Sequence, residues 1–75
     1  MQLFVKYNKL FSGTFQTITI DIDGDATVEL LKLMIWEKIG LLPSKQKLYC
    51  CGKMGFLNTA KIRDVFKKES TMFLL

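Results

Sequence analysis

The sequence predicts an α+β domain in which a mixed sheet packs on one main helix, with a short helical turn beside it. Three observations carry that prediction. Two segments near the start alternate apolar and polar residues with period two, as strands with one buried face do. A segment in the middle repeats apolar residues at the helical period and has cap signals at both ends. Shorter alternating runs follow it, and 75 residues with 49% hydrophobic content suit one core and one domain, residues 1–75.

In the first segment, "MQLFVKY", Leu3 and Val5 point one way and Gln2, Phe4 and Lys6 the other. "NKLFSGT" carries the Asn, Ser and Gly of a loop, although Leu10 and Phe11 are unusually apolar for one. "FQTITIDID" alternates more cleanly, with Ile18, Ile20 and Ile22 inward and Thr17, Thr19 and Asp21 outward. These two strands read as a hairpin.

The helix comes next. Thr27 supplies an N-cap oxygen, and Asp25 and Glu29 suit the positive end of the dipole. Gly40 supplies a left-handed cap, and Pro43 prevents resumption. Val28, Leu31, Ile35 and Ile39 fall on one face and are expected to pack on the sheet. Leu30, Leu33, Met34 and Trp36 lie off that face and form a second apolar surface. Two accounts of it are open: Leu10 and Phe11 fold over it, or another domain or partner covers it.

Past the helix, "KQKLYC" predicts a third strand with Leu48 and Cys50 inward and Lys47 and Tyr49 outward. "CGK" turns at Gly52, "MGFLNTA" reads as loop, and "KIRDVF" as a helical turn anchoring Ile62 and Phe66. "STMFLL" is the last strand, Met72 and Leu74 alternating with Phe73 and Leu75.

Composition narrows the function. Net charge is +4, which permits contact with nucleic acid or acidic surfaces, but the lysines are scattered rather than massed, which favours ordinary solubility as the reading of the charge. Cys50 and Cys51 are adjacent and cannot clip distant segments together, which points to a reduced, intracellular, cytoplasmic protein. Cys50 reads as a small buried hydrophobe and Cys51 as a turn residue. No signal peptide is expected, because Lys6 and Lys9 follow the short apolar start. Apolar runs fall far short of the ~18–20 residues that span a bilayer, so no membrane association is expected. There is no histidine, two cysteines cannot complete a zinc site, and the acid–base partners of catalysis are missing. "CGKMG" lacks the spacing of a phosphate loop. We therefore expect no catalytic residues, metal, cofactor or small-molecule substrate.

The element order strand, strand, helix, strand, short helix, strand is that of the β-grasp fold, and particular residues extend the likeness. "MQLFVK" resembles the opening of ubiquitin with one conservative change. "TITIDIDGDATVELLKLMIWEKIG" and "LPSKQKLYCCGK", residues 17 to 53, are similar to ubiquitin without a gap, with landmarks at Thr17, Lys32, Gly40, Pro43, Gln46, Gly52 and Lys53. "KKEST" resembles its approach to the last strand. The first hairpin loop is about five residues longer than the family's, and residues 54–66 match poorly apart from "IRD" and Phe66.

The resemblance implies three functional features. Ubiquitin tags other proteins through a tail ending in two glycines, whereas Leu75 matches a position inside the last strand, so the chain as written is expected not to be conjugated. Ubiquitin docks receptors through a sheet surface, and the positions matching it here are Tyr49, Phe73 and Leu75, with Lys6, Lys47 and Lys53 around them. A tyrosine at the centre implies poor binding by ordinary ubiquitin receptors. Lys6, Lys32, Lys38, Lys53 and Lys68 match acceptor lysines, although lysine is common on any basic surface. The leading expectation is a degenerate ubiquitin-like domain heading a longer fusion, by family analogy a small-subunit ribosomal protein precursor, aiding folding or solubility, with a cytoplasmic, nuclear or ribosome-associated location. The alternatives are a docking module of an adaptor that binds proteasome or ubiquitin receptors, and a modifier seen before its diglycine tail.

Overall fold

A computed structural model describes residues 1–8 and 14–74. Strand β1 (Gln2–Asn8) and β2 (Phe15–Asp21) form an antiparallel hairpin in register from Gln2 opposite Asp21 to Asn8 opposite Phe15. Helix α1 (Val28–Ile39) follows, then a 3₁₀ turn (Pro43–Lys45), β3 (Leu48–Cys50), β4 (Lys53–Met54), α2 (Ile62–Val65) and β5 (Thr71–Leu74). The sheet order is β2-β1-β5-β3-β4. β5 runs parallel to β1 and antiparallel to β3, so the sheet is mixed, with the last strand, β5, at its centre between β1 and β3. This is the expected α+β architecture, a β-grasp sheet on one main helix.

One face of the sheet and one face of α1 make the core. Leu3 and Val5 of β1, Ile20 of β2, Met72 of β5 and Val28, Leu31 and Ile35 of α1 are wholly buried together with Ile62. Leu48, Cys50, Phe66 and Leu74 close the cluster, and Ile18 and Ile39 pack partly buried against it. Alternation and helical spacing therefore place these side chains as the sequence predicts.

The helix ends are held as expected. The Leu30 amide donates to Thr27 Oγ1 at 3.4 Å, and Gly40 takes φ 77° while its amide donates to the Trp36 carbonyl. Backbone bonds stitch the segment before α2 to the start of α1: Val28 N–H to Ala60 O, Glu29 N–H to Asn58 O, and Ile62 N–H to Ala26 O. Residues 58–62 are thus tied to the helix N-terminus by main-chain bonds, which do not depend on side-chain identity.

Two sequence expectations need correction. The third strand begins at Leu48 rather than Lys45, because Pro43 starts a 3₁₀ turn and the buried Gln46 side chain ties the chain to the helix. Its Nε2 donates to the carbonyls of Lys32 (2.8 Å) and Leu41 (2.9 Å), which fixes a bend that a strand would not make. Lys53 and Met54, read partly as loop, form a fifth strand: Cys51 and Gly52 both take positive φ (59° and 77°), the requirement of a two-residue hairpin turn. Leu10, Phe11 and Leu75 lie outside the described residues, and with them the account in which the loop folds over α1 and the outward position expected of Leu75.

Candidate protein-docking face

The register aligns one row of outward side chains across all five strands. Thr17 of β2 sits opposite Lys6 of β1, Lys6 beside Phe73 of β5, Phe73 opposite Tyr49 of β3, and Tyr49 opposite Met54 of β4. Strand alternation sends all five to the face away from α1, because their neighbours Val5, Met72, Leu48 and Cys50 point into the core. Phe15 joins the row diagonally. Its ring meets that of Phe73 edge-on, with centroids 6.3 Å apart and planes at 84°. Lys6 Nζ stands 6.0 Å from the Phe73 centroid, which keeps a cation against the aromatic patch.

Phe15, Tyr49, Met54 and Phe73 are all exposed, from 58% at Phe15 down to 36% at Phe73. At ~200 Å² per large side chain they present roughly 400 Å² of mainly apolar surface, inside the ~300–600 Å² of the largest patch on a typical monomer. Each of the four is fixed by a strand rather than a loop, so the patch is pre-shaped.

The other residues predicted for this surface are distributed differently. Lys53 pairs with Cys50, and therefore belongs to the opposite face; its Nζ lies 5.9 Å from the Phe56 ring, and Phe56 packs on Phe66. Lys47 is exposed just before β3 and lines a cleft of about 410 Å³ with Lys32, Gln46, Leu48, Met54, Gly55 and Phe56. Lys6 alone among the three is brought against the aromatic cluster. Phe15 and Met54 were not foreseen as members. The signal for Phe15 was present, since it shares the outward parity of Thr17 and Thr19. Met54 becomes visible only once the two-residue turn is known.

On α1, Leu30, Leu33 and Trp36 are exposed, at 43%, 41% and 44%, while Met34 is half-buried against the core. The matched lysines differ in availability. Lys38, Lys53 and Lys68 are exposed, whereas half-buried Lys32 donates to Asn58 Oδ1 at 3.0 Å. Burial pushes the Cys50 thiol up to about 12, helped by its contact with Cys51, so it stays protonated. Among the described residues no cluster of three or more His, Cys, Asp or Glu side chains is placed to hold a metal, and no helix is long and apolar enough to cross a membrane. No protein-family model matches the chain.

Proposed function

We propose that this chain is a ubiquitin-like module that docks a protein partner through the sheet face of Phe15, Tyr49, Met54 and Phe73, with Lys6 orienting the partner's charge. The observation that carries this reading is the exposed row of Phe73, Tyr49 and Met54 across the sheet, held by strand register and joined diagonally by Phe15. The partner that fits is an apolar segment flanked by Asp or Glu, since Lys6 borders the patch and the chain carries +4. The magnitude favours a transient complex. Covering roughly 400 Å² at ~25 cal/mol per Å² yields about 10 kcal/mol before costs, and association alone removes ~4–15 kcal/mol. Stable complexes bury ~800 Å² per partner.

A helical peptide with an apolar stripe flanked by glutamates is the direct probe, ubiquitin-receptor motifs among the panel. Tyr49→Ala and Phe73→Ala are each expected to weaken its binding by about tenfold or more, with Trp36→Ala neutral. Equal binding by wild type and both sheet variants removes the proposal. The folded-leader role in a ribosomal-protein precursor is the other reading, supported by family analogy. It forecasts a native product heavier than this domain, and an intact mass equal to the domain alone counts against it.

A further inference from the structure

The β3–β4 turn brings two sulfurs together that a strand would separate. Successive strand residues point to opposite faces, yet Cys51 takes φ 59° and its side chain returns to Cys50, with Sγ to Sγ at 3.0 Å. Both are free thiols, Cys50 buried and Cys51 exposed. Left-handed backbone is disfavoured for a residue with a Cβ, and the position is one that glycine or asparagine ordinarily fills in such a turn. A cysteine here therefore costs backbone energy and gains a sulfur–sulfur contact.

We propose that Cys50 and Cys51 form a vicinal dithiol that hydroperoxides oxidise reversibly to a disulfide. The exposed Cys51 sulfur meets the oxidant first. It attacks one oxygen of hydrogen peroxide, the O–O bond breaks, and the products are a sulfenic acid and hydroxide, which takes a proton to leave as water. The Cys50 sulfur, 3.0 Å away, then attacks the Cys51 sulfur while passing its proton to the departing hydroxyl, which leaves as a second water as the S–S bond closes. Two thiols and one peroxide become one disulfide and two waters.

Geometry makes the product labile. Cα atoms of adjacent residues lie ~3.8 Å apart across a trans peptide, below the ~4.4–6.8 Å of ordinary disulfides. The ring is strained, and strained exposed disulfides are the readily reduced ones. Closure also pulls Cys50 Sγ from its weak 3.5 Å hydrogen bond to the Thr71 carbonyl on β5, and it reshapes the turn between Tyr49 and Met54.

The test is peroxide treatment of the wild-type chain, followed by alkylation, intact mass and peptide mapping. The expected product is monomeric, lighter by two hydrogens within one Cys50–Cys51 peptide, unreactive to alkylation at both sulfurs, and restored by dithiothreitol. Amide signals of Tyr49, Lys53 and Met54 shift with it. Cys51→Ser protects Cys50 from oxidation over the same time. Oxygen addition at Cys51 while Cys50 still alkylates, or dimers linked through Cys51, overturns the proposal. Oxidation is read without any partner, so its outcome is separate from that of the docking reading.

Discussion

Met72 and Phe73 are neighbours on β5 with opposite fates, and replacing each by alanine separates core from outward face. Met72 is fully buried, and truncating such a side chain costs ~2–5 kcal/mol. A 75-residue domain holds only ~4–11 kcal/mol in total, so Met72→Ala removes a large share of it. Phe73 is 36% exposed, and among the described residues its ring meets Phe15 and Lys6. The edge-on ring of Phe15 contributes ~0.5–1.5 kcal/mol, and the Lys6 cation ~0.5–1 kcal/mol. Phe73→Ala should therefore cost ~1–2.5 kcal/mol in all. Urea unfolding with unchanged m-values measures both. A double-mutant cycle with Phe15→Ala should return a coupling of ~0.5–1.5 kcal/mol. If Phe73→Ala destabilises as much as Met72→Ala, or the coupling is zero, then Phe73 is a core residue or the pair is absent, and the outward face has been misassigned.

Three further outcomes follow from the fold. Gln46→Leu removes the donors to the Lys32 and Leu41 carbonyls and should cost ~1–3 kcal/mol in urea unfolding. Gly40→Ala meets no atom within 4 Å, so its cost is the left-handed backbone alone, ~1–2 kcal/mol, read as a lower thermal midpoint. Cys50 is held protonated to about pH 12 in the folded chain against an ordinary 9.0, so between these values the unfolded chain sheds a proton that the folded chain keeps. Its stabilising contribution is complete below pH 9 and is lost as pH rises toward 12; wild type should lose more stability across that window than Cys50→Ala, and parallel losses would refute this.

Most of the fold was legible because it rests on period. Leu3, Val5, Ile20 and Met72 alternate, Val28, Leu31 and Ile35 repeat at helical spacing, and all are buried. What escaped the sequence depends on single side chains and turn geometry. Gln46 looks like a surface residue until its two backbone acceptors are known. Met54 looks like loop until Cys51 and Gly52 reverse the chain in two residues. Lys53 seemed to flank Tyr49, but pairing with Cys50 puts it on the other face. Tyr49 and Phe73 were readable from parity alone, whereas their direct pairing across β3 and β5 required the register.

Amide shift mapping of the isotope-labelled chain with the glutamate-flanked helical peptide tests the docking account most directly. The account predicts shifts concentrated at Lys6, Phe15, Tyr49, Met54 and Phe73, growing with peptide until saturation. Shifts confined to Leu30, Leu33 and Trp36 on α1, or a sheet face unmoved by every peptide of the panel, would contradict it.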